Sequence, residues 1–316
     1  MPRENQPRHG SLQFWPRKRA DKILPSVNWK AISSEKPRLL GFIVYKVGMK
    51  SALVRDITEN SLTKGQKIIL PVTILEAPSL KILSVRFYKN NSIIKEIFLG
   101  GDKELKKNIK LPKQQKGKEN LDIKENYDSI RVIVYSLVNK TSIKKAPDIS
   151  EIGLGGSKEE QLAFAKENLN KEITINEVFN GGLVDIRGVT KGKGIQGPVK
   201  RFGVSLRHHK SEKGVRKVGS IGPWHPARVV FTVAMAGQMG FFTRVSYNNK
   251  ILSINKISEK NINPSSGFHK YGNIKTDYII LQGSVAGPKK RQILLTETIR
   301  PTKKQSKKNY EFIEIK

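Results

Sequence analysis

The 316-residue chain contains no cysteine. That absence removes disulfides, thiolate nucleophiles and cysteine-ligated zinc together, and it fits a reducing compartment. Acidic side chains are scarce beside basic ones, 27 against 59, which leaves a net charge of +32. Long apolar runs are missing too: no segment reaches the stretch of about 20 residues needed to cross a bilayer. The basic N-terminus MPRENQPRHGSLQFWPRKRADK is not followed by an apolar segment and a small-residue cleavage site, so it does not read as a secretory signal. Pro2, Pro7, Gly10 and Pro16 interrupt any amphipathic targeting helix there. The cytoplasm is the expected compartment.

Catalytic and metal-binding patterns are lacking as well. Of five histidines only His208 and His209 are adjacent, and neighbours in an extended segment point opposite ways, a poor metal clamp. No H-E-x-x-H spacing occurs. The string GSVAG at 283–287 has Val285 where a nucleophile elbow needs serine. No nucleophile, base and orienting group form a set, so neither catalysis nor a cofactor is expected.

What is present is charge, and it is unevenly placed. Self-repulsion at +32 disfavours a free compact chain, so an anionic partner is expected. Nucleic acid is the first candidate and a membrane surface the weaker one. Residues 1–38 hold nine Lys/Arg and three acids among prolines and glycines, an extended basic arm. From Arg38 onward, β-branched and aromatic runs predict strands over 38–49, 67–77, 80–88, 92–99, 129–138, 182–189, 250–257, 277–285 and 292–299. Residues 100–128 mix lysines and acids and read as a solvated surface insertion. A short helix is predicted over 157–169, with Ser157 capping it and Glu160 reaching back. Thr174 and Glu177 repeat that start signal. Many strands, few helices and long interruptions predict a mainly β chain, a barrel or sandwich carrying a mixed α+β insertion.

Residues 187–217 stand apart, with ten Lys/Arg and the single acid Glu212 in 31 positions. A stretch this long without core-forming residues is functional or disordered. Within it, GKGIQG at 192–197 matches the dinucleotide spacing G-x-G-x-x-G but fails on context. Pro198 follows at once, no amphipathic helix opens, and no acid lies about 20 positions on to hold a ribose. Glycine still lets backbone amides approach phosphates closely. Lys191, Lys193, Lys200, Arg201, Arg207, Lys210, Lys213, Arg216 and Lys217 would then track a line of phosphates, with His208 and His209 among them. Trp224 sits between Pro223 and Pro226 on a turn, with His225 and Arg228 beside it, a geometry suited to stacking on RNA bases. An isolated tryptophan is otherwise most often a packing residue.

Several long strings now resemble one family. GSLQFWPRKRA (10–20), GFIVYKVGMKSALVRD (41–56), GVTKGKGIQGPVKRFG (188–203), GPWHPARV (222–229), AGQMGFFTR (236–244) and GSVAGPKKR with IRP (283–291, 299–301) resemble the universal large-subunit ribosomal protein three family, archaeal/eukaryotic type. The resemblance runs almost end to end. It departs from the family pattern in the lysine content of 100–128 and in the C-terminal TKKQSKKNYEFIEIK.

The resemblance implies a closed β-barrel body like the second domain of elongation factors, with extensions that penetrate RNA. The expected layout is an arm over 1–38 and a body over 39–316. That body is interrupted by a mixed insertion at about 78–182 and a basic finger at about 188–240. Trp224 would tip the finger near the peptidyl-transferase region, and Arg17, Lys18 and Arg19 would serve the arm. Gln238 matches a glutamine that some bacterial relatives methylate. The implied function is a non-enzymatic constituent of the large ribosomal subunit, working in the cytoplasm. Its partners would be ribosomal RNA and neighbouring ribosomal proteins, with tRNA touched only indirectly and no membrane or homo-oligomer. The rival readings are a free RNA-binding or chaperone-like protein and an RNA-modifying enzyme.

Overall fold

Strand-forming residues dominate wherever charge is low, and among the described residues they assemble as three sheets of seven, four and two strands. The computed structural model describes residues 8–111 and 126–316; the central part of the predicted surface insertion, 112–125, lies outside them. In chain order the strands are β1 (Gly41–Asp56), β2 (Lys67–Ala77), β3 (Leu80–Lys89), β4 (Ser92–Phe98), β5 (Ser129–Ser136), β6 (Ile149–Gly153) and β7 (Leu183–Val189). They continue as β8 (Gly192–Gln196), β9 (Gly237–Gly240), β10 (Thr243–Asn255), β11 (Asp277–Gln282), β12 (Gln292–Glu297) and β13 (Tyr310–Ile315). The helices are short: α1 (Lys158–Glu167), α2 (Ile175–Val178), α3 (Pro198–Phe202) and α4 (Lys303–Ser306). The chain is mainly β, as its sequence predicts.

Contacts divide the described chain into two units. The larger, the body, comprises Ile23–Gly188 and Val245–Lys316. Its main sheet runs β12-β7-β10-β11-β2-β1-β13, and β12 also pairs with β1, so the hydrogen-bonded ladder returns on itself. That closure is possible because β1 is 16 residues long. Its first half pairs antiparallel with β12 (Gly41↔Thr296 to Tyr45↔Gln292) and its last with β13 (Ala52↔Ile315 to Asp56↔Tyr310). Phe42, Val44, Leu75, Ile279, Leu281 and Leu295, which the register places on one face of this sheet, are fully buried.

A second sheet, β4-β3-β5-β6, packs with α1. Helix α1 begins where its capping signal predicts. Ser157 Oγ accepts from the Glu160 amide at 3.4 Å, and Glu160 returns a carboxylate to the Ser157 amide at 2.8 Å. Its last turn ends two residues earlier than the apolar spacing suggests, with the Asn168 side chain donating back to the Phe164 carbonyl. Strands β6, β8, β9 and β13 have no counterpart in the sequence reading, being short or rich in glycine and charge.

Residues 23–38, basic in sequence, pack with the body. Trp29 and Ile32 join its core, and a Cβ on Gly41 would lie 2.9 Å from the Trp29 ring. Only glycine there leaves room for the indole. A buried carboxylate, Glu76, fixes the segment before β11: it accepts from the Tyr271 hydroxyl, from the Lys275 and Thr276 amides at 2.8 and 3.1 Å, and from the Thr276 hydroxyl at 3.2 Å.

Candidate nucleic-acid interface

The smaller unit joins arm residues to Val189–Arg244. Its stalk is the two-stranded ladder β8–β9, paired Gly192↔Gly240, Ile195↔Gln238 and Gln196↔Gly237. Below it Thr190 N donates to Phe242 O at 3.0 Å, and Phe242 N donates to Thr190 Oγ1 at the same distance. Gly240 has φ +73°, and a Cβ there would fall 2.0 Å from the Lys191 carbonyl oxygen. The glycine-rich string therefore builds a hairpin base. Beyond it Gly197 caps a single helical turn, α3, with Pro198 in its first turn and Gly203 at φ +69° ending it. A helix of five residues cannot serve as the nucleotide-binding helix of a βαβ unit.

The arm lies against this hairpin through aromatic and guanidinium groups. Trp15 stacks on Phe202, centroids 5.8 Å apart, and meets Phe231 edge-on at 5.9 Å. The Arg17 guanidinium lies 5.2 Å from the Trp15 ring and 4.3 Å from Phe202. Ala20 N donates to Phe241 O at 2.8 Å, and Arg8 donates to the Thr232 carbonyl. Arg244 covers Phe14 at 4.2 Å and Phe242 at 5.0 Å. A cleft of about 290 Å³ opens between residues 13–21 and 242–244, bordered by Arg17, Lys18, Arg19 and Arg244. Its one acid is Asp21, whose carboxylate is 3.8 Å from Lys18.

Three sequence-predicted arginines are tied into the protein. Arg201 donates from Nε to the Gln238 carbonyl at 3.0 Å and from Nη1 to Met235 at 2.9 Å, holding the return strand. Arg207 bonds the Val218 carbonyl, and its backbone amide donates to Val215 at 3.0 Å. Arg17 is engaged by the rings. Burial first, and then the charge of Arg8, lowers the Arg17 pKa; burial first, and then the charge of Arg17, lowers those of Arg201 and Arg244. Four guanidiniums thus share one unit with no carboxylate paired to them among the described residues.

The other predicted cations face outward. Lys18, Arg19, Lys191, Lys193, Lys200, Lys210, Lys213, Arg216, Lys217, His225 and Arg228 are exposed. Arg19 rides 5.9 Å over Phe241. Trp224 is 89% exposed, so it packs into no core, and Phe231 beside the arm is 72% exposed. Gln238 folds its amide back to its own strand, donating to Met239 O at 3.3 Å and Gly240 O at 2.9 Å.

His208 and His209 depart from expectation in orientation. Their rings sit 4.2 Å apart on one side, because Ser211 N closes a turn onto His208 O at 3.0 Å and the segment is not extended. Sequence reasoning passed over Arg8, Phe14, Trp15, Phe202, Phe231 and Arg244 as a set. The signal was there in the interleaving of aromatics and arginines in FWPRKR and KRF.

Comparison with known proteins gives this geometry a context. The family model described as ribosomal protein L3 matches residues 1–98 and 87–316. The large ribosomal subunit protein uL3 of Methanobrevibacter smithii is 42% identical over 320 residues, covering 96% of this chain and 95% of its own. That of Methanocaldococcus jannaschii is 44% identical over 312 residues, covering 94% and 92%. That of Nanoarchaeum equitans is 43% identical over 313 residues, covering 95% and 94%. Matches of this length and identity, over a stalk and arm this basic, place the chain in the ribosomal protein L3 family, in its archaeal type.

Proposed function

We propose that the chain is a structural, non-catalytic constituent of the large ribosomal subunit, acting in the cytoplasm by binding ribosomal RNA. The observation that carries this reading is the cluster of Arg8, Arg17, Arg201 and Arg244, like charges packed without a carboxylate partner among the described residues. Like charges held together cost free energy in the isolated protein, and a polyanion relieves that cost. Lysines around them are exposed and available to phosphates.

In this reading Arg17, Arg201 and Arg207 shape the unit, whereas Lys18, Arg19, Lys191, Lys193, Lys200, His208, His209, Lys210, Lys213, Arg216, Lys217, His225 and Arg228 meet the RNA. Trp224 stacks on a base and tunes the surroundings of the catalytic RNA, touching tRNA only indirectly. Gln238 positions the return strand. The body's self-returning sheet is a closed barrel of the elongation-factor type, seated among neighbouring ribosomal proteins, without a membrane or a second copy of itself. Sedimentation of a cell extract tests the whole: the chain travels with the large subunit, and a mostly free pool would sink the proposal.

A further inference from the structure

The body unit contains a basic cleft of its own, beside the lysine-rich segment that precedes β13. It measures about 300 Å³ and is bordered by Arg38, the glycine turn Gly181 and Gly182, Lys250, Glu297 and Ser306. Its acid is already matched: Arg38 Nη2 donates to the Glu297 carboxylate, and Nη1 donates to the Val178 carbonyl at 3.0 Å. Arg38 Nε, shielded from solvent, has no partner among the described residues. Lys250, half-buried on β10, has its ammonium pKa lowered by burial, and no carboxylate among the described residues offsets this. Gly181 and Gly182, at φ +108° and +87°, leave open space where side chains would stand.

Pro301 and Ser306, which border the cleft, belong to RPTKKQSKK, residues 300–308, a stretch with five cations and no acid. It is not a loose tail. Thr302 N donates to Asn248 Oδ1 at 3.2 Å, and Ile299 N and Thr298 Oγ1 donate to the buried Asp185 carboxylate at 3.3 and 3.2 Å. An ammonium half-withdrawn from water without a counter-charge is costly, and one bound anion offsets the cost. A single carboxylate would satisfy Lys250 alone. Five further cations in nine residues match a polymer that repeats its negative charge.

We propose that this cleft seats a backbone phosphate of ribosomal RNA on Lys250, while Lys303, Lys304, Lys307 and Lys308 neutralise the phosphates flanking it. The inference rests on the RNA-binding reading of the whole chain and adds a contact on the body unit.

The test titrates the full-length chain with a large-subunit ribosomal RNA transcript at rising KCl. Lys250→Met keeps the aliphatic stem in place and removes the charge. A second variant replaces Lys303, Lys304, Lys307 and Lys308 with Gln, all on or beside the surface, and a control replaces Lys191, Lys193 and Lys200 with Gln. Each lost phosphate contact lowers the slope of log K against log salt by about 0.7–0.9. We expect about one such step for Lys250→Met and more for the quadruple variant. If both cleft variants keep the parent slope while the control loses slope, the cleft proposal falls and the RNA reading stands. A parent chain whose affinity ignores salt overturns both. Should Lys250→Met unfold by circular dichroism, the quadruple variant decides alone.

Discussion

Trp15 and Phe202, 187 positions apart in sequence, stack with their planes 17° from parallel. One belongs to the arm and the other ends the helical turn after the glycine-rich string. Arg17 lies over both rings, so aromatic faces take up a guanidinium that no carboxylate among the described residues neutralises. The arrangement joins arm and hairpin through ring contacts and leaves the surrounding lysines unspent for phosphates.

Replacing Trp15 with Ala removes the stack, the edge contact with Phe231 and part of the support for Arg17. An aromatic pair contributes about 0.5–1.5 kcal/mol beyond its buried area. We therefore expect up to a tenfold rise in protease cleavage within residues 11–20 of the free chain, read by limited proteolysis. Cleavage sites in the body unit should be unaffected. An unchanged arm would mean that the backbone bond from Ala20 to Phe241 holds it alone.

Gly240→Ala strikes the base of the stalk. The positive φ costs an alanine about 1–2 kcal/mol by itself, and the Lys191 carbonyl stands where the new methyl must go. Backbone cannot rotate aside as a side chain would. Hydrogen exchange should show protection lost across Ile195 and Gln238, with the β1–β2 amides unchanged. Retained protection at Ile195 would contradict the close approach.

Much of this fold was legible where chemistry is local. The β-branched runs of β1, β2, β3 and β5 and the two Ser/Thr-x-x-Glu starts before α1 and α2 depend on nearest neighbours. Strand β13 was not legible, because YEFIEI follows a lysine tract and its ladder partner is β1, some 250 residues earlier. The interface was legible as charge but not as geometry. Lys200 and Arg201 are adjacent and equally basic, yet α3 turns Arg201 onto the return-strand carbonyls and leaves Lys200 in solvent. The His208–His209 pair misled for the same reason: a turn, not side-chain type, decided which way the rings point.

Trp224→Ala should leave folding untouched, since the indole contributes no burial to the free chain. Stacking on a base is worth about 1–3 kcal/mol, too little to anchor a chain held by many phosphates. Incorporation into the subunit, followed by sedimentation, should stay nearly normal while tRNA accommodation changes. Failure to fold or assemble would show that the residue packs structurally in the particle.

Asp56 gives a pH test that needs no RNA. Its carboxylate, nearly buried at the end of β1, accepts from Ser61 Oγ and Thr63 Oγ1 at 2.6 Å and from Thr58 N at 2.9 Å. Hydrogen bonds from Ser61, then Thr58 and Thr63, hold its pKa well below the ordinary carboxylate range. A pKa depressed on folding stabilises the protein above the unfolded-chain value of about 3.9, and that stabilisation is lost as pH falls from there towards the folded value. Asp56→Asn surrenders the charge-assisted bonds, at a cost of about 1.5–3 kcal/mol near neutrality. Urea unfolding at pH 7, 4 and 3 should therefore show a gap between parent and variant that narrows as acid is added. A gap that stays constant down to pH 3 would mean that the loop does not depend on the ionised carboxylate.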